Sequence, residues 1–147
     1  MPTELKLSHA LKETINTALA RGRMLSVAYV SPDDRPELSF RGSVQVFSEN
    51  QLAIWVRNPE GGIVKAVASG RPHIALLYGE LGPASKAFVS CRGRGHVENS
   101  AAVRTKVYEN SPELERNLDK ERKGVALIID LDSVDGFFGG EPVGMRR

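Results

Sequence analysis

The sequence predicts a mainly β domain with flanking helices, an antiparallel barrel of six strands with the α elements packed outside it. Three observations carry this. Short runs rich in β-branched and aromatic residues recur between turn-forming clusters, and one of them, "PELSFRGSVQVFS", alternates apolar with polar residues. The helical signals are confined to the front of the chain, one short piece in the middle and an insert before the last strand. With 147 residues the chain suits one domain, 1–147.

From Ser8 to Arg21, Leu11, Ile15, Ala18 and Leu19 recur at helical spacing, with Ser8 placed to cap and Gly22 to stop, which predicts an amphipathic helix. "MLSVAYVS" is the first strand, and "SPDDRP" turns it back into "PELSFRGSVQVFS". In that strand Leu38, Phe40, Gly42, Val44 and Val46 share the expected core face, and Ser39, Arg41, Ser43 and Gln45 share the polar one. "SEN" leads to "QLAIWVR", where Leu52, Ile54 and Val56 alternate with Ala53, Trp55 and Arg57.

"IVKAVAS" is a two-turn helix stopped by Gly70 and Pro72, and "HIALLYGE" is the fourth strand. The fifth, Lys86 to Glu98, carries Gly93 and Gly95, which predict a bulge or a close backbone approach. A helix from about Ser100 to Tyr108 breaks at "SPELER", where Ser111 is the expected cap and Pro112 the first position of a polar surface helix. "GVALIIDL" is the sixth strand, and "SVDGFFGGEPVGMRR" reads as a glycine-rich tail.

Composition narrows the function. Twenty Lys and Arg against 18 Asp and Glu leave a formal charge of +2, too small for a protein that coats nucleic acid, so a bound anion should be small. The single cysteine, Cys91, excludes an internal disulfide and a Cys-rich zinc site and suits a packed thiol. His9, His73 and His96 show no metal-ligand spacing. No apolar run approaches the roughly 20 residues needed to cross a bilayer, and the start has no signal-peptide core, so a soluble, cytoplasmic protein is expected.

The chemistry concentrates in "IWVRNPEGGIVKAV". A glycine turn leading into a helix presents backbone N–H groups and the positive end of the helix dipole, and phosphate is the usual ligand of such a corner. Arg57 approaches from the strand, Lys65 from the helix and Arg41 from the neighbouring strand. On spacing alone these cations read equally as solvated surface charges or as an anion grip, and Trp55 suits a core or an interface better than a ligand stacker. No Walker loop, dinucleotide fingerprint or nucleophile motif is present, so an enzyme built on this chain borrows its reactivity from a cofactor.

The order of elements, and the segment "LSFRGSVQVFSENQLAIWVRNPEGGIVKAVASGRPHIALLY" in particular, resemble the pyridoxamine 5'-phosphate oxidase-like flavoproteins, the FMN-binding split-barrel family. The resemblance implies a six-stranded antiparallel split β-barrel, bound FMN, a homodimer with the cofactor at the subunit interface, and redox chemistry on a small molecule. By position, Lys65 resembles the family's phosphate lysine and Arg57 its phosphate arginine, with Gly62 and Ile63 at the start of the same helix. Trp55 and Val56 resemble the strand along the flavin, and Ser39, Phe40, Arg41 and Gly42 the strand opposite. Ser90 falls where the family reaches the partner's flavin, and "GFFGGEPVGMR" resembles the tail that closes over the ring, with Arg146 in it.

Two departures shape the expectation. "PVGMRR" lacks the Arg-x-His of the vitamin B6 oxidases, and Ile63 and Val64 replace the Ser or Arg that precedes the phosphate lysine. The deazaflavin F420 is therefore an alternative cofactor, and a non-catalytic flavin- or haem-binding protein an alternative function.

Overall fold

The computed structural model describes residues 2–83 and 85–147. Its elements run β1 (Thr3–Glu4), α1 (His9–Asn16), β2 (Leu25–Val30), β3 (Pro36–Arg41), β4 (Gln45–Ser48), β5 (Gln51–Val56), α2 (Gly62–Ala68), β6 (His73–Leu81), β7 (Lys86–Glu98), α3 (Ala101–Asn110), α4 (Glu113–Asn117), β8 (Val125–Phe138) and β9 (Glu141–Arg146).

The strands form one nine-stranded sheet rather than six; with β3 and β4 counted as a single bent strand, β2 to β8 supply the six predicted barrel strands, and β1 and β9 extend them. β3 pairs with β2, which continues through β6 and β7 to β8; β8 pairs with β5, and β5 with β4. The bend at 42–44 is where the ring passes from one half to the other. β8 serves both halves: Val125–Asp130 pairs with β5, and Ser133–Phe138 with β9.

The barrel interior holds the main core, including Val27, Leu52, Ile54, Ile63, Leu127, Ile129 and Leu131, each at most 0% exposed. α1 closes one end through Leu11 and Ile15, with the Ser8 hydroxyl accepting from the Leu11 amide at 3.2 Å. A second core lies outside the barrel wall, where α3 covers β4, β5 and β8, and Trp55, Val107, Tyr108 and Ile128 meet.

The bend corrects the expected faces of the 36–48 strand. Leu38 and Phe40 are 74% and 67% exposed rather than core, because they pair opposite Ala28 and Ser26 on the outer side of β2. Beyond the bend Val44 turns into the core, whereas Ser43 and Gln45, expected on a solvated face, are buried beneath α3. Hydrogen bonds meet the cost of that burial. Gln45 Nε2 donates to the Val107 carbonyl at 3.0 Å, while the Ser43 hydroxyl accepts from the Trp55 amide at 3.1 Å and donates to the Trp55 carbonyl at 3.0 Å, replacing the ladder that the bend interrupts.

Three boundaries also differ. The first helix stops at Asn16 and is followed by a 3-10 turn at Leu19–Arg21, because the Asn16 side chain accepts from the Val46 amide at 2.8 Å and the Thr17 hydroxyl donates back to Glu13. Pro112, not Ser111, occupies the cap of α4; the Ser111 hydroxyl donates to the Val107 carbonyl at 2.8 Å. The tail is sheet, with β8 continuing through "SVDGFF", turning at Gly139 and Gly140 (φ 63° and 79°), and returning as β9, which also pairs with β1. The bulge expected in β7 is present: its register with β8 shifts between Arg92 and Gly93, where an added Cβ would stand 2.3 Å from the Asp130 carbonyl oxygen.

Candidate functional site

At the bend, β3 parts from β5 and leaves a cleft of about 230 Å³. It brings together Ser39, Phe40, Arg41, Gly42, Trp55 and Arg57, six of the residues expected around a cofactor. Met24, Ser43 and Glu115 complete the lining.

Arg41 is the unusual group. Its Nε is buried and has no hydrogen-bond partner. Burial lowers the guanidinium's pKa, and Arg57 lowers it further, while Tyr29 and Glu115 act the other way. Neither Arg41 nor Arg57 forms an ion pair among the described residues. Two cations facing one cleft, one of them desolvated, make a place where an anion gains charge-assisted hydrogen bonds.

Tyr29, which the sequence did not single out, stands outside the cleft lining, near enough to Arg41 to feel its charge and packed against α2. Its pKa is raised by burial and by Glu37, and opposed by Arg41. Its hydroxyl lies against the first turn of α2, 2.4 Å from where a Cβ on Gly62 would stand. Lys65 follows Gly62 by three residues, and both are exposed, so the lysine sits about one turn along the same stripe, outside the cleft lining.

The remaining expected residues are placed differently. The Val56 and Ile63 side chains point into the barrel core, at 2% and 0% exposure. Trp55 belongs mainly to the second core: its ring meets Tyr108 edge-on at 5.2 Å, and its indole N–H donates to Asp119 at 2.9 Å, so only an edge is left for the cleft. Ser90 is half-buried on the outer sheet face, where Phe40, Ser26, Leu77 and Ser90 form one row across β3, β2, β6 and β7. Arg146 pairs with Asp135 at 2.8 Å and lines a separate hollow of about 590 Å³ beside β1. That hollow is larger than the cleft, but the buried unpaired nitrogen of Arg41 lies in the cleft and not in the hollow.

Glu115 and Asp119 also escaped the sequence reading. Both lie in or just after a polar helical piece with surface composition, and only tertiary packing brings them against β3 and β5.

No protein-family model matches the chain, and no curated protein matches it. Solved structures do. General stress protein 26 from Bacillus anthracis aligns at 17% identity and a TM-score of 0.66, covering 93% of this chain and 98% of that one. A protein related to general stress protein 26, of the pyridoxinephosphate oxidase family, from Clostridium acetobutylicum aligns at 9% identity and 0.63, covering 92% and 95%. An FMN-binding protein from Syntrophomonas wolfei aligns at 8% identity and 0.62, covering 94% and 89%. With the six-stranded ring broken at the 42–44 bend and helices on its outside, these likenesses give the chain the pyridoxamine 5'-phosphate oxidase-like split-barrel fold.

Proposed function

We propose that the protein is a cytoplasmic, homodimeric FMN-binding flavoprotein that transfers hydride to or from a small molecule. The observation that carries the reading is Arg41, a guanidinium with a buried, unpartnered Nε beside Arg57 in a cleft. A phosphate there would satisfy that nitrogen and answer both charges. Arg41 and Arg57 then hold the phosphate, with Lys65 adding charge from the exposed stripe of α2. FMN, when bound, supplies the hydride chemistry. The chain's own groups bind and orient it: Ser39 and Phe40 lie along one side, and Trp55, held by its own hydrogen bond, gives the opposite wall an edge.

The size of the cleft supports a shared site. About 230 Å³ is below the roughly 300–1,000 Å³ of ordinary ligand pockets, so one subunit encloses only part of the cofactor. The outer sheet face next to it is apolar and uncovered, with Leu38, Phe40, Leu77 and Phe88 exposed by 74%, 67%, 49% and 51%. Such a patch marks an interface. A second subunit seated there would bring Ser90, in the same row as Phe40, towards the neighbouring cofactor. The FMN-binding protein among the similar structures supports the choice of ligand.

Glu115, in the same lining, favours a second reading, F420, whose phosphate is a singly charged diester. An absorption spectrum of the purified protein followed by titration with FMN and F420 separates the two. The expected result is a flavin spectrum at one FMN per subunit; tight F420 binding with FMN ignored supports the second reading, and binding of neither overturns both. A bound flavin that no reduced pyridine nucleotide or substrate reduces would make the protein a carrier.

A further inference from the structure

The cleft is not purely basic, and its one carboxylate has a consequence for which phosphate it accepts. α4 delivers Glu115 against the end of β3: an added Cβ on Gly42 would stand 3.2 Å from the Glu115 carboxyl carbon and 3.3 Å from Oε1. Glycine at 42 therefore provides the room in which the carboxylate lies. α4 is fastened on its other side, where the Tyr108 hydroxyl donates to the Arg116 carbonyl at 3.1 Å and Arg116 Nη1 donates to the Glu109 carbonyl at 3.1 Å. Glu115 is close enough to favour the cationic form of Arg41, yet it forms no ion pair among the described residues and leaves Arg41 Nε free.

Two arginines and one carboxylate give the cleft lining a formal charge of +1, from Arg41, Arg57 and Glu115. A phosphate monoester carries about −1.5 to −2 near pH 7, whereas a diester carries one charge. The lining's net charge answers the first negative charge; the second is met by Lys65 from outside the lining and opposed by Glu115 within it, where like charges repel. We propose that Glu115 is a specificity-determining residue that weakens the cleft's hold on dianionic phosphate monoesters, FMN among them, more than its hold on singly charged phosphodiesters, and so narrows the margin by which the cleft takes FMN. This rests on the cleft being the phosphate site.

The test is calorimetric titration of the 147-residue protein, Glu115→Gln and Arg57→Gln with three probes: riboflavin, FMN and the methyl phosphodiester of FMN. Glu115→Gln should tighten FMN roughly tenfold, change the methyl ester by much less and leave riboflavin unaltered. An FMN-to-ester affinity ratio that stays constant in Glu115→Gln, while Arg57→Gln weakens both phosphate ligands relative to riboflavin, overturns the role of Glu115 and keeps the phosphate site. Equal affinities of all three probes for every variant overturn the phosphate site and this inference together. Circular dichroism of each variant checks that the substitutions leave the fold intact.

Discussion

The Trp55 indole nitrogen donates to the Asp119 carboxylate at 2.9 Å, tying the end of β5 to the loop before β8. Asp119 also accepts from the backbone amides of Lys123 at 3.0 Å and Gly124 at 2.9 Å. One carboxylate thus secures the wall of the cleft and the start of the barrel's most connected strand.

Burial works against the charged form of Asp119, but the two amides, the indole and Arg57 outweigh it and hold the pKa below the usual carboxylate value. A depressed folded pKa contributes stability that is present above the unfolded value and is lost as pH falls through the folded one, here below about pH 4. Asp119→Asn should lower the unfolding free energy at pH 7 by about 1–3 kcal/mol in urea titrations. The difference from the parent protein should shrink as the pH is taken down through that window.

For the phosphate grip, Arg41→Ala should weaken FMN by about 1.5–3 kcal/mol, the range for a hydrogen bond to a charged group, and leave riboflavin nearly unchanged. Lys65→Ala, outside the cleft lining, should show the same ligand preference with a smaller loss. Fluorescence titration of both ligands against both variants measures this, and equal losses for FMN and riboflavin would remove the phosphate role.

The outer sheet face makes a prediction about assembly. Leu77 sits in the middle of the outer row, 49% exposed between Ser26 and Ser90. Leu77→Glu should convert a dimer to monomers in sedimentation equilibrium without lowering monomer stability, because the residue supports no core of its own chain. The same change should weaken FMN binding if the partner completes the site.

Cys91 faces inward on β7 at 2% exposure, and burial, helped by Asp135, pushes its thiol up to about 12. The thiolate is the reactive form, so alkylation by a maleimide at pH 7.5 should be undetectable in the folded protein and complete in urea. Rapid labelling of the native state would place the thiol outside the core.

The pattern of residues carried the barrel a long way. Alternation and turn chemistry are local properties, so the six barrel strands, the two-turn helix α2 and the closely approached glycines of β7 were legible directly. The cleft was legible in part: Ser39, Phe40, Arg41, Gly42, Trp55 and Arg57 meet in it, whereas Val56 and Ile63 turn inward and Arg146 lies elsewhere. The tail concealed a strand pair because its glycines look like loop until β8 and β1 offer partners on either side of β9.

What the sequence determined by itself was the period of each segment, and with it the strands, the helices and the cations at a glycine corner. Which face of a strand became core was decided only in three dimensions. Period-two alternation has no sign, and a bend at 42–44 turned Leu38 and Phe40 outward while it buried Ser43 and Gln45. The same bend opened the space that Arg41, Arg57 and Glu115 share, three residues whose charges meet through tertiary packing and not through their order along the chain.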